Sequence, residues 1–294
     1  REERAAIAEV QSEGDEAREV GHLATWANIE FHRYHRHFAG EQRGTRDLRL
    51  LDDIISELEG IGGRMEAVRA GSERTDIEED LRTVEANLAQ YEEEREAIAE
   101  IRRTASPDER ASLLAVLANR QFEIYGDHFA EKNRQTRWPA LLERVIANLE
   151  EILEEMRALE ETLDSSTENR DNIDIVEENL GVYREELQAV KRAREEREPA
   201  ELARRLGGAA NQVFETYRDE YAGEDRRTRD LGQLRAMCDE LYHLARQMRT
   251  LRGDDETGAS EENLGVVVEN LTLYQREYDE IERVQADSSG YAQS

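Results

Sequence analysis

A lone cysteine, Cys238, rules out a disulfide within the chain and leaves the redox compartment open. Lysine is almost missing: Lys132 and Lys191 stand alone, and every other cation is arginine. No apolar run approaches the roughly 18 residues of a helical membrane span, so membrane insertion is not expected. Three prolines and 6% aromatic residues are too few for a sheet-rich fold and suit helices. No Gly-x-Ser-x-Gly elbow, phosphate loop or Cys-x-x-Cys pair occurs, which removes the commonest signatures of nucleophilic, nucleotide and redox chemistry.

Acid is present in excess. Sixty-nine acidic residues against 40 basic ones give a net charge of -29. Such a balance argues against nucleic-acid binding, because phosphate neutralisation needs clustered cations, and it disfavours anionic membrane surfaces. Arginine in place of lysine, with high acidity, fits a salt-adapted or GC-rich proteome, and the excess of glutamate over aspartate fits helices. No signal peptide is visible and a cytoplasmic location is expected. Arg1 is not an initiator residue, however.

The chain repeats itself. "ANIEFHRYHRHFAGEQRGTRDL", "ANRQFEIYGDHFAEKNRQTRWP" and "ANQVFETYRDEYAGEDRRTRDL" align without a gap, at offsets of 91 and then 92 residues. Asn28, Phe31, Tyr34, Phe38, Arg43, Thr45 and Arg46 recur as Asn119, Phe122, Tyr125, Phe129, Arg134, Thr136 and Arg137. They recur again as Asn211, Phe214, Tyr217, Tyr221, Arg226, Thr228 and Arg229. A second motif places Asn87, Leu88 and Tyr91 over Asn179, Leu180 and Tyr183, then Asn270, Leu271 and Tyr274.

Each repeat reads as three helices of about 24 residues or slightly more, hence roughly 35–40 Å long. On the first helix Leu23, Ala27, Phe31, Tyr34 and Phe38 share one face, and Gly40 can stop it. Thr45 suits an N-cap for the second helix, whose stripe is Leu51, Ile55, Leu58, Ile61 and Met65. Its counterparts are Leu142 to Met156 and Leu234 to Met248, with Cys238 in an isoleucine slot as a small buried hydrophobe. Polar linkers such as "LDSSTENRDN" lead to a third helix carrying Leu81, Val84, Leu88, Tyr91 and Ile98.

These features predict an all-α tandem array of three-helix bundles. The expected divisions are a tail of a preceding, truncated repeat at 1–13, repeats at 14–105, 106–198 and 199–287, and a polar tail at 288–294. The tail follows from "ERAAIAEV" at 3–10, which matches "EREAIAEI" at 94–101, so at least one further repeat is expected before Arg1. Ser106 and Pro107 suit a capped break at the first joint. The second, around Pro199, has no glycine before Gly207 and predicts a kinked but nearly continuous helix. The result is an elongated rod that resembles spectrin repeats in architecture, with a different period and different motif residues. An α-solenoid is the alternative.

"EFHRYHRHF" holds three histidines, but His37 points away from His32 and His35 on a helix, and His22 lies roughly 15 Å along the axis. Two ligands are fewer than zinc takes, and the aromatic framework recurs where the histidines do not. They are expected on a solvated face. Glu240 and His243 have the Glu-x-x-His spacing of a di-iron bundle, which wants such pairs on facing helices.

Arg-x-Thr-Arg recurs at 43–46, 134–137 and 226–229. Two guanidiniums at a helix N-terminus can hold an anion. They can equally form inter-helix ion pairs, for which Glu94, Glu186 and Glu277 are available partners. The recurring asparagines are expected to fix helix register. The function expected is non-enzymatic and cofactor-free: a coiled-coil-like scaffold, spacer or self-assembling subunit that binds protein. The alternatives are a metal- or anion-binding helix bundle and an acidic decoy mimicking nucleic acid.

Overall fold

A computed structural model describes the backbone of residues 2–71, 76–130, 132–160, 162–163, 167–195 and 197–291. It describes side chains within 18–70, 77–130, 132–160, 162–163, 168–195 and 197–287. The described residues form nine α-helices and no strand. They are α1 (Glu2–Phe38), α2 (Leu48–Gly71), α3 (Asp76–Thr104), α4 (Pro107–His128), α5 (Pro139–Glu160), α6 (Thr167–Glu195), α7 (Pro199–Thr216), α8 (Leu231–Leu251) and α9 (Ala259–Tyr291). The chain divides into two compact units, residues 1–113 and 114–294, with α4 running through the division.

In the first unit α1, α2 and α3 pack on one another. The α2 stripe Leu51, Ile55, Leu58, Ile61 and Met65 is buried throughout, as are Leu81, Val84, Tyr91 and Ile98 on α3. Burial of this aliphatic surface, worth about 25 cal/mol per Å², holds the bundle together. α1 runs unbroken from Glu2 to Phe38, through the expected 13/14 repeat boundary. Gly40 stands just past its end with φ +76, the left-handed conformation that a Cβ disfavours.

The second helices begin two residues later than expected. Thr45 sits in a 3₁₀ turn, Arg43–Thr45, and its hydroxyl donates to Gln42 O. The cap is Asp47, whose carboxylate accepts from Arg49 N and Leu50 N at 3.0 and 3.1 Å. Asp230 does the same for α8. A carboxylate outbids a hydroxyl there because it carries full negative charge against the helix dipole. In the second repeat Trp138 takes that place, followed by Pro139.

The second unit contains α5 packed on α6, and α7, α8 and α9 packed mutually. α4 joins its neighbours through Gln121, which accepts from Asn148 at 3.0 Å, and through Tyr125 against Tyr183. The buried α5 and α8 stripes include Leu142, Ile146, Leu149, Ile152 and Met156, and Leu234, Cys238, Leu241, Leu244 and Met248. At Gly207, α7 meets α9 closely: a Cβ there would come 2.6 Å from Asn263 Nδ2.

The third helices, at 29, 29 and 33 residues, are longer than the second helices, at 24, 22 and 21. Part of each expected polar linker falls on 72–75 and 164–166, outside the described residues, but Thr167 to Asn172 already belong to α6. The expected polar tail at 288–294 is likewise helical as far as Tyr291.

The joints differ from expectation in one respect. At the first, Ser106 and Glu109 form a reciprocal capping box: Ser106 N and Oγ donate to Glu109, and Glu109 N reaches back to Ser106 Oγ. At the second the helix is not continuous. α6 ends at Glu195 and α7 starts at Pro199, with Glu198 extended at φ -67, ψ 138. Proline clashes with a helical residue before it, so the chain breaks there instead of bending.

The histidine-rich stretch holds a second surprise. His22 and His35 are exposed and His32 and His37 half-buried, while the arginines between them go inside. Arg33 is 2% exposed and bridges Glu30 on its own helix, at 3.1 Å, to Asp53 on α2, at 2.8 Å. Neither partner recurs: Gln121 and Val213 replace Glu30, so this pair belongs to the first repeat alone.

Candidate functional site

The recurring residues converge between the first and third helix of each repeat. Tyr34 stacks on Tyr91 with ring centroids 3.9 Å apart. Tyr125 and Tyr183 repeat this at 3.8 Å, and Tyr217 and Tyr274 at 4.0 Å. The next aromatic along the first helix extends each stack: Phe38, Phe129 and Tyr221 lie 5.0, 5.7 and 5.6 Å from the shared tyrosine. Offset stacking adds about 0.5–1.5 kcal/mol beyond area burial, so each stack fastens two helices.

One turn beyond lies the Arg-x-Thr-Arg loop. Its inner arginine, Arg46, Arg137 or Arg229, donates to the carboxylate of Glu94, Glu186 or Glu277 on the third helix. These side chains are 13%, 9% and 8% exposed. Each inner arginine also donates to a loop carbonyl: Arg46 to Glu41 O, Arg137 to Lys132 O and Arg229 to Glu224 O and Ala222 O. The outer arginines are about half exposed and meet the same glutamates: Arg43 at 3.2 Å, Arg134 at 2.8 Å and Arg226 at 4.0 Å. Thr45, Thr136 and Thr228 donate to the carbonyls of Gln42, Asn133 and Asp225, tightening the turn. The two guanidiniums and one carboxylate of each loop thus face each other, within one repeat.

A further recurring contact closes the loop from the far end of the third helix. Arg102 donates to Gly44 O and Arg46 O, and Arg194 to Gln135 O and Arg137 O. Gln285 donates to Arg226 O and Arg229 O. Sequence reasoning missed this clamp, although the three positions share the repeat register. Glutamine in the third copy hid the pattern, because charge is not what the carbonyls need. In the first repeat the clamped loop is also close-packed: a Cβ at Gly44 would approach Leu113 Cδ2 to 3.2 Å.

Beside the stack runs a groove. Phe31, Phe122 and Phe214 were expected in the core, but each is only half-buried, and Asn28, Asn119 and Asn211 are exposed. On α4 the buried face keeps Leu114 and Ala118, the counterparts of Leu23 and Ala27, and adds Leu117 and Gln121 beside the half-buried Phe122. The third-helix asparagines do not link helices. Asn87, Asn179 and Asn270 each donate to the carbonyl four residues back, Thr83 O, Ile175 O and Val266 O, at 2.8–2.9 Å. In the third repeat these residues border a cleft of about 760 Å³ lined by Asn211, Phe214, Tyr217, Asn270, Leu273 and Glu277, among others. There α7 ends in a π turn, Tyr217–Tyr221, closed by Ala222 N on Tyr217 O at 2.7 Å. π turns frequently accompany functional sites.

Electrostatics follow the burial. Desolvation pushes the hydroxyls of Tyr183 and Tyr274 up to about 12. It also raises Tyr34 and Tyr125, where Glu94 and Glu186 add to the shift and the loop arginines oppose it. Burial, then the neighbouring Glu280, holds the Glu277 carboxyl above its ordinary range, although Arg229 and the Tyr217 hydroxyl donate to it. Tyrosines held so high stay protonated, and none is placed as an acid or base at neutral pH.

No family profile, curated protein or solved structure matches this chain. The site therefore rests on its own geometry. Among the described residues no group of three or more His, Cys, Asp or Glu is arranged to hold a metal ion. No described helix is long and apolar enough to cross a membrane. His243, three residues after Glu240, is buried with its ring 4.6 Å from His128 and 5.4 Å from Trp138, while Glu240 faces His128 Nδ1 at 3.3 Å. Cys238 is buried among the α8 stripe.

Proposed function

We propose that this chain is a non-enzymatic helical scaffold whose grooves between first and third helices are faces for a protein partner. One observation carries the reading. The same exposed asparagine, half-buried phenylalanine and half-buried third-helix asparagine recur in all three repeats, at positions that bundle packing leaves partly open. Surface positions without a packing task are free to vary, as the histidines do. The arginine loops serve as buttresses in this reading, because their guanidiniums already meet Glu94, Glu186 and Glu277. An extended, spectrin-like order of the repeats belongs to the same proposal. It rests on the 91–92-residue period alone, since the break before Pro199 removes the continuous helix that the sequence suggested, and small-angle scattering with the profile of a compact globule would reject it.

The deciding experiment pairs wild-type chain with a variant carrying Asn119→Ala, Phe122→Ser and Asn179→Ala. Circular dichroism establishes that the variant is folded. Both are then used in affinity capture at high salt, with mass spectrometry of bound proteins. The reading expects specific partners that the variant loses; identical capture by both chains would reject it.

A further inference from the structure

We propose that the groove of the third repeat, between α7 and α9, is the face on which a second copy of this chain docks through a two-fold contact. This rests on the scaffold reading above and names the partner of one groove.

Most charges around this cleft are spent inside the chain. Arg229 meets Glu277, Arg226 meets Glu280 at 2.7 Å and Arg218 meets Asp219 at 2.6 Å. Two opposite charges are left over. Glu215 on α7 acts on Arg218 only from beyond ion-pair distance, and Arg276 lies across the cleft on α9. Both are exposed, and neither has an ion pair among the described residues. In a two-fold contact residue i of one copy meets residue j of the other, and j meets i. Glu215 of each copy can therefore meet Arg276 of the other, so both groups find a partner that their own chain does not supply.

The other repeats lack this pair. The corresponding residues are Glu123 and Glu185 in the second, like charges that a two-fold contact would press together, and His32 and Glu93 in the first. The third-repeat cleft balances Glu215, Glu277 and Glu280 against Arg218, Arg226 and Arg276, whereas the whole chain stands at -29. Two copies repel over most of their surface, and this neutral cleft is where they can approach. An apolar centre lies within it. Leu273 and Val266, 52% and 46% exposed, stand two turns apart on α9, and Phe214 is half-buried. Docking lays Leu273 of each copy against Phe214 of the other and removes both from water.

Sedimentation equilibrium of the full chain at high salt, which screens the chain-wide repulsion, tests this. Wild type should show a concentration-dependent equilibrium between monomer and dimer. Glu215→Arg and Arg276→Glu each set like charges against one another and should each raise the dimer Kd about tenfold or more. The double reversal should recover the wild-type value. So should an equimolar mixture of the two single variants, because a mixed dimer restores both pairs. Leu273→Asn should weaken the dimer as well. All three positions are exposed, and circular dichroism checks that each variant is folded. A monomer at every concentration, a dimer indifferent to either reversal or to Leu273→Asn, or failure of either rescue would overturn the proposal. The capture experiment judges the scaffold reading separately, since its variant changes only the second repeat. A monomeric wild type that still captures variant-sensitive proteins overturns the dimer alone; a monomer with identical capture by both chains overturns both readings.

Discussion

Arg194, in the last turn of α6, donates a 2.6 Å hydrogen bond to Gln247 of α8, and Gln247 in turn donates to Thr136 O. The same guanidinium nitrogen reaches Gln135 O and Arg137 O, so one buried side chain ties the third helix of the second repeat, its own loop and the next repeat together. Burial drags its pKa down to about 10. A charged group surrounded by neutral acceptors is retained for its donors. Replacing Arg194 with Leu should therefore destabilise the second unit by about 1–3 kcal/mol, the cost of orphaned buried acceptors. Glutamine, which does this task at position 285, should recover much of the loss. Urea denaturation of both variants decides it, and equal losses would contradict the donor argument.

Gly207→Ala should destabilise by about 1 kcal/mol or more, although alanine favours helices by a similar amount. The new Cβ would sit 2.6 Å from Asn263 Nδ2 and 2.9 Å from its Cγ, displacing an amide that donates to Ala203 O at 3.3 Å. Pairing it with Asn263→Ala should relieve the strain, so a thermal-melt double-mutant cycle with no coupling would refute the contact.

Acid should expose the cap of α9. Asp255 accepts from Thr257 Oγ1 at 2.6 Å and from Ser260 N at 2.7 Å, and these bonds hold its carboxyl down at about 2. A depressed folded pKa contributes stability above the unfolded value near 3.9, and that contribution disappears as pH falls through the folded one. The stability difference between wild type and Asp255→Ala should accordingly be constant above about pH 5 and shrink toward pH 2. A pH-independent difference would show that the carboxylate charge is not involved.

Core and groove should separate cleanly in mutagenesis. Leu149, fully buried, should cost about 2–5 kcal/mol on truncation to alanine. Phe122→Ala should cost about 1–2 kcal/mol, since a half-buried ring loses only part of its transfer free energy. His35→Ala, at an exposed site, should fall within about 0.5 kcal/mol of wild type. Chemical denaturation that ranks Phe122 with Leu149 would move it back into the core.

Arg137→Ala removes the inner partner of Glu186 and leaves only the exposed Arg134. It should lower stability by about 1–3 kcal/mol, and phosphate should leave the melting temperature of the wild type unchanged. Saturable stabilisation by phosphate, lost in Arg137→Ala, would establish an anion site in place of a buttress.

Repetition and periodicity carried the architecture. Three copies of one motif at 91–92 residues, each followed by an aliphatic stripe such as Leu51 to Met65, dictate helices and the faces of the second helices, because a stripe at 3.6-residue spacing has one way to hide from water. Loop chemistry was legible to the same depth: Glu94, Glu186 and Glu277 could be named beside the arginines from register alone. Thr45 was misread because Asp47 stands two residues further on, and a carboxylate and a hydroxyl compete for the same cap.

Exposure was not legible in this way. Spacing places Phe31, Phe122 and Phe214 on the same side of a helix as core leucines, yet the angle that neighbours actually cover is set by where the third helix crosses, and it stops short of those rings. The asparagine amides turn back on their own helices at Asn87, Asn179 and Asn270, which register cannot foretell because the choice between carbonyl and neighbour is made by distance. Arg33 is buried and histidines beside it are not, since Glu30 and Asp53 come within reach only once α1 lies against α2. The clamp of Arg102, Arg194 and Gln285 likewise joins residues about 56–59 positions apart. Side chains that meet through backbone carbonyls leave no mark in residue types, so that closure exists only in three dimensions.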